Sequence, residues 1–248
     1  MYLNDLESYF NNLLDVPSFK DYAPNGIQLD TPKQINKLAF GVTCSLELIE
    51  SAITWKSDAI FVHHGLFWDK YPRIKGYLRE RIKRLIKNDI GLIAYHLPLD
   101  AHSEYGNSVA LANLLGGKVN SYFAKINGKN IGVIADFDTS IEDLEVEIEH
   151  QSVAPIKTFF YGPRQIKKVA IVTGAGQQFF EEAVSLGVDT FITGEFSGYV
   201  PYIAKEEKIN YLAIGHETSE LFGLKEMKYI VKKNFDIETK FFKFTYEA

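Results

Sequence analysis

Asp58-Ala59-Ile60-Phe61-Val62-His63-His64-Gly65 is the stretch on which the reading of the fold turns. Ala59 to Val62 are apolar throughout, the pattern of a buried strand. The strand runs into two adjacent imidazoles and a glycine. Neighbouring side chains on an extended chain point to opposite faces. Both rings can therefore face one centre only if the strand ends there and the backbone bends, which Gly65 would permit. Such a geometry suits a metal site at the carboxyl end of a strand.

Working outward, Lys37 to Thr43 reads as a strand, Ser45 as the cap of a helix over 46–55, and Asp58 to Val62 as the next strand, which together make a βαβ unit. Upstream, Leu3, Leu6, Phe10, Leu13 and Leu14 recur at helical spacing over 3–15, and Pro17 closes that segment. Asp21-Tyr22-Ala23-Pro24-Asn25-Gly26 is dense in turn formers and leads into a short strand, Ile27-Gln28-Leu29. Downstream come Leu66-Phe67-Trp68-Asp69, an irregular stretch around Tyr71-Pro72-Arg73, a basic helix over 77–88 and a buried strand over 90–95. His96-Leu97-Pro98-Leu99-Asp100 follows, then a helix over 107–115 stopped by Gly116-Gly117.

The middle has a different texture. Ile131–Ala135 and Thr158–Tyr161 read as short strands around an acidic helix over 141–150, opened by Asp138-Thr139-Ser140. The chain then starts again: 166–199 follows 35–68 without a gap at an offset of 131, with six identities, at Ile35, Lys37, Ala39, Glu50, Ala52 and Asp58, and a shared apolar pattern. The strand over 209–214 precedes His216-Glu217-Thr218-Ser219-Glu220, so each half ends a strand with His-x-x-x-acid. The expected architecture is α/β: two related units, each a central sheet flanked by helices, over 1–118 and 166–248, with 119–165 between them. The copies diverge where His63-His64 gives way to Gly194-Glu195.

Composition narrows the class. Hydrophobic residues at 46% and charged residues at 24% are ordinary globular usage. A net charge of -5 gives no basic footprint for nucleic acid, and the basic face of Lys75, Arg79, Arg81, Lys83, Arg84 and Lys87 reads as solvated surface. The single cysteine, Cys44, forms no internal disulfide and reads as a small buried residue. No apolar stretch approaches the roughly 18 residues of a membrane span. Acids at Asp5 and Glu7 stand where a signal peptide needs a basic start. The expectation is a cytoplasmic protein without a membrane partner.

His63, His64, His96 and His216 all directly follow predicted strands, and ligands of open α/β sheets bind at the carboxyl ends of strands. Asp100 and Glu220 arrive the same way, each four residues after a histidine. This mixed nitrogen and oxygen set suits Zn, Fe or Mn. More donors than one tetrahedral ion takes favour two ions, about 3.5–4 Å apart, which polarise a substrate oxygen and activate water. His96 is the member that could instead touch substrate or support a ligand. Glu195, at the place matching His64, is a candidate general base. Gly174-Ala175-Gly176 could receive phosphate or be a plain turn, and Phe67 and Trp68 could stack on a flat base or pack in the core. His102 and His150 read as surface residues.

Val62-His63-His64-Gly65-Leu66-Phe67-Trp68, His96-Leu97-Pro98-Leu99-Asp100 and Gly215-His216-Glu217-x-x-Glu220, with Asp21 to Leu29 as an amino-terminal signature, resemble the YbgI-like family, also called NIF-three-like or GTP cyclohydrolase 1 type 2 proteins. The resemblance spans essentially the whole chain. It implies intertwined halves, a toroidal homohexamer with its sites facing a cavity, and two divalent ions per chain. The implied ligands are His63, His64, Asp100, His216 and Glu220, with Glu220 bridging and His96 a neighbour. The implied activity is hydrolytic opening of the guanine ring of GTP by metal-bound hydroxide. The other reading is a non-enzymatic metal-binding scaffold or metal-trafficking protein.

Overall fold

A computed structural model describes residues 1–68 and 73–244; Asp69, Tyr71 and Pro72 of the stretch read as irregular lie outside them. The chain forms two compact units, one of residues 1–99 and 224–243 and one of residues 100–223 and 244.

In the first unit, α1 (Leu3–Leu13) precedes β1 (Gly26–Leu29), β2 (Lys37–Thr43), α2 (Leu46–Trp55), β3 (Ala59–His64), α3 (Gly76–Lys87) and β4 (Gly91–Ala94). Its sheet has the order β1-β4-β3-β2-β11, the last strand (Glu238–Phe241) coming from the far end of the chain. β4, β3, β2 and β11 are parallel, and β1 runs antiparallel to β4. The parallel core explains the near-continuous apolar runs of β2, β3 and β4, which are covered on both faces. Ser45 caps α2 by accepting from the Leu48 N–H at 3.1 Å, as the sequence predicts.

The second unit holds α5 (Asn107–Leu114), β5 (Lys118–Ile126), β6 (Lys129–Ser140), α6 (Ile141–Gln151), β7 (Lys157–Phe159), β8 (Gln165–Val172), α7 (Phe180–Ser185), β9 (Thr190–Thr193), α8 (Val200–Glu207), β10 (Asn210–Ala213) and α9 (His216–Ser219). Its sheet order is β5-β6-β8-β9-β10-β7, with β8, β9 and β10 parallel. Alternate residues of β8 serve different clusters: Val169 and Ile171 pack with α5 and α6, while Ala170 and Val172 pack with Phe180, Phe191 and Tyr211. The segment 119–165 thus supplies strands and a helix to this second sheet. α4 (Leu97–Asp100) and α10 (Leu221–Asn234) carry the chain from one unit to the other and back.

The duplication is visible in the hydrogen bonds. Tyr95 N donates to Val62 O at 3.1 Å, and its counterpart Ile214 N donates to Thr193 O at 2.8 Å. Ile90 N to Leu85 O (3.0 Å) is repeated by Ile209 N to Ala204 O (2.9 Å). Lys56 and Gly187, at the ends of α2 and α7, both take the left-handed conformation, φ 60° and 68°. This register corrects one detail: with Tyr95 matching Ile214, His96 matches Gly215, and His216 stands where the first half has Leu97. The two His-x-x-x-acid motifs are therefore offset by one residue.

No helix among the described residues is long and apolar enough to cross a membrane.

Candidate metal site

β3 does not end before the histidine pair, as its sequence implied; it runs through His64. The glycine that follows is not in the left-handed region. Its role is spatial, since a Cβ at Gly65 would lie 2.3 Å from Gln28 Oε1, the atom that accepts the Leu66 N–H at 2.7 Å. Bringing the two rings together takes only the end of the sheet, where His63 is fully buried and His64 half-buried. Their centroids are 4.8 Å apart.

Because β3 and β4 are parallel and paired in register (Val62 opposite Ala94), their carboxyl ends open on the same edge. His96, just past β4, lies 5.1 Å from His63 and 5.9 Å from His64 between ring centroids. One ligand atom from each of the three comes within 4.8 Å of the others, a group able to hold a metal ion. All three rings are held by Nδ1. That of His63 faces Tyr95 O at 2.8 Å, that of His64 Thr43 Oγ1 at 3.1 Å, and that of His96 Asp21 Oδ1 at 3.0 Å. A carbonyl or ionised carboxylate only accepts, so His63 and His96 carry their hydrogen on Nδ1 and offer Nε2 as the donor atom.

Asp21 is the hub of the loop around His96. Burial would raise its carboxyl pKa, but His96, Asn25 and the Ala23 N–H outweigh burial and hold it down at about 2. It also accepts from Leu97 N at 2.9 Å, and Asn25 Oδ1 accepts from His96 N at 2.7 Å. Asn25 Nδ2 in turn donates to Asp21 Oδ2 at 3.0 Å.

In the second unit, the single turn of α9 places His216 Nε2 3.2 Å from Glu220 Oε1, as four-residue spacing on a helix requires. His216 Nδ1 is 2.6 Å from Glu195 Oε1. Burial works against a charged His216, but the two carboxylates outweigh it and raise the ring to about 9. Glu195 therefore orients His216. Asp100 is buried and accepts from Asn107 Nδ2 at 2.8 Å, while Asn107 Oδ1 accepts from Gly223 N at 2.8 Å.

Gly174 has φ 64°, and a Cβ there would lie 2.3 Å from Glu220 Oε1 and 3.3 Å from His216 Nε2. Its N–H donates to Ser219 Oγ at 2.8 Å. This glycine makes room for the His–Glu pair. Cys44 is buried as expected. His102 caps a turn by accepting from Tyr105 N at 3.0 Å, and His150 is exposed.

The sequence alone assigns no role to Thr43, Asn107 or Ser219, and none to Gly174 beside His216 and Glu220. Asp21 and Asn25 enter there only as turn formers and as part of the amino-terminal signature. Thr43 is the exception that position could have revealed, since it ends the strand beside β3, opposite His64.

The donor chemistry fits a divalent ion: buried imidazoles fixed through Nδ1, paired with carboxylates, match the supported ligands of metal sites. Fold and site define an α/β protein of two related units with side chains at strand ends that could hold a metal ion. The chain belongs to the Duf34/NIF3 (NGG1p interacting factor 3) family, whose model matches residues 1–247. It is 36% identical over 241 residues to the "GTP cyclohydrolase 1 type 2 homolog" of Yersinia pestis, and 38% identical over 242 residues to that of Pasteurella multocida, covering 96% of both chains in each case. Among solved structures it is similar to "protein ybgI, unknown function", with a TM-score of 0.89, 34% identity and all of both chains covered.

Proposed function

We propose that His63, His64, Asp100, His216 and Glu220 would hold two divalent metal ions. In this reading the protein is a metal-dependent hydrolase that opens the ring of a purine nucleotide. The observation that carries it is the common anchoring: four imidazoles at strand ends, each held at Nδ1 by a different partner. The names of the relatives supply the substrate class.

Zn, Fe or Mn ions suit these donors and, when bound, polarise a substrate oxygen and lower the pKa of water. The chain's own residues do the rest. Asp21 holds the His96 Nδ1 hydrogen, so His96 Nε2 takes a proton from the attacking water and passes it to the leaving nitrogen. Glu195 fixes the ring plane of His216, and Asn107 fixes the Asp100 carboxylate. A toroidal homohexamer in the cytoplasm completes the reading, with no membrane or nucleic-acid partner required.

The test is to reconstitute the protein with Zn, Fe or Mn, add GTP, and follow guanine absorbance and formate. Loss of absorbance with stoichiometric formate is expected. Full metal occupancy without turnover on any of the three ions would remove the GTP assignment and leave the metal-binding scaffold.

A further inference from the structure

Two exposed aromatic side chains stand beside the histidine cluster of the first unit, where metal ligation gives them nothing to do. Trp68 is 42% exposed and Tyr22 59% exposed. The indole lies 5.3 Å from the His64 ring and 5.2 Å from the His96 ring, meeting the latter edge-on at 84°. Tyr22 meets the same His96 ring edge-on, at 5.0 Å and 69°. Each ring thus uses part of its surface to wall the imidazoles and keeps part of it exposed. Large aromatics left in water beside a polar cluster lose apolar burial, and such patches mark binding surfaces.

From this geometry we infer that Trp68 and Tyr22 form the stacking wall that receives the planar heteroaromatic ring of the substrate over the histidine cluster. The proposal rests on the purine-nucleotide reading above and names the residues that would recognise the ring. At 6.1 Å between centroids and 35° between planes, Tyr22 and Trp68 already touch, so a ring does not slide between them. The guest instead lies along their exposed surfaces. Stacking is tolerant of base identity, because every base has a π face. The wall therefore selects a flat ring, and hydrogen bonds from elsewhere choose among bases.

Trp68 also reports on its own role. Tryptophan occurs at only two positions, so Trp55→Phe leaves Trp68 as the single indole fluorophore. Titration of that protein with guanosine and with GTP should quench its emission, and inorganic triphosphate should not. Trp68→Ala should weaken guanosine and GTP on the order of ten- to hundredfold, Trp68→Phe far less, and neither should change metal content or triphosphate affinity. Unchanged guanosine affinity in Trp68→Ala would overturn the wall, as would loss of triphosphate binding in parallel with guanosine. Formate release separates this from the parent reading. Base binding without formate removes the hydrolase and keeps the wall; formate release with an unaltered KM in Trp68→Ala does the reverse.

Discussion

Asp58 and Asp189, 131 positions apart, hold the backbone in the same way: Asp58 Oδ2 accepts from Asn36 N and Lys37 N, both at 2.9 Å, and Asp189 Oδ2 from Lys167 N at 2.8 Å and Lys168 N at 2.9 Å. Each carboxylate clamps the start of the first strand of its parallel set from the strand next to it. Removing either leaves two N–H groups without their charged acceptor, at a cost of about 1–3 kcal/mol. Asp58→Ala and Asp189→Ala should therefore destabilise by similar amounts in urea, with metal content unaltered in both. A large effect at one site and none at the other would show that the repeat no longer shares this support.

Gly174 and Gly128 make a matched pair. Both have positive φ, 64° and 88°, so alanine at either carries a backbone cost of about 1–2 kcal/mol. Only at Gly174 does a Cβ meet anything, namely Glu220 and His216; around Gly128 there is nothing within 4 Å. Gly174→Ala should lose metal as well as stability, and Gly128→Ala stability alone. Elemental analysis beside thermal unfolding separates the two effects.

The β5–β6 hairpin shows what was readable and passed over. Ile126 pairs with Lys129 across a two-residue loop, and both Asn127 (φ 49°) and Gly128 (φ 88°) take the conformation of a type I′ turn. Asn-Gly is a strong local hairpin signal; the weakly apolar run Lys118 to Ile126 masked it. β11 is another matter. Glu238-Thr-Lys-Phe carries little strand signal of its own and exists because it lies parallel to β2, with Glu238 opposite Lys37. Nothing local encodes so distant a pairing. The site divides along the same line: strand-end histidines are legible from apolar runs, whereas Asp21 beneath His96 and Asn107 beneath Asp100 become visible only once the loops are folded.

Cys44 is fully buried, and burial pushes its thiol up to about 12. The folded state thus favours the neutral thiol. Below the ordinary thiol value its contribution to stability is complete; as pH rises above that value, only the unfolded chain ionises, and stability falls progressively toward pH 12. Two results are expected: labelling by iodoacetamide at pH 8 only as fast as the protein opens, and a fall in unfolding free energy between pH 9 and 10 that Cys44→Ala reduces. Rapid labelling of the folded protein would contradict the burial.

His63 and Glu220 belong to different compact units, and the proposed ligand set makes each depend on the other. His63→Ala and Glu220→Ala should both lower the metal content from two ions per chain, by similar amounts, with circular dichroism showing that each variant still folds. If Glu220→Ala kept both ions, the proposed ligand set would be wrong and the histidine group of the first unit would have to bind metal alone.

Glu195 tests whether the anchoring of the rings matters to metal binding. Its carboxylate reaches His216 Nδ1 at 2.6 Å, and its carbonyl oxygen accepts from Tyr211 Oη at 2.6 Å, so the backbone of the residue is fixed independently of its side chain. Glu195→Gln can keep an acceptor at Nδ1 but loses the charge, whereas Glu195→Ala leaves the ring to rotate. Losses of this kind of support typically cost 10- to 100-fold in metal affinity. The expected order of affinity is wild type, then Glu195→Gln, then Glu195→Ala, measured by competition with a chelator of known affinity. A general base would behave differently, with metal affinity intact and only turnover lost. Equal metal affinity in all three proteins would return Glu195 to that role.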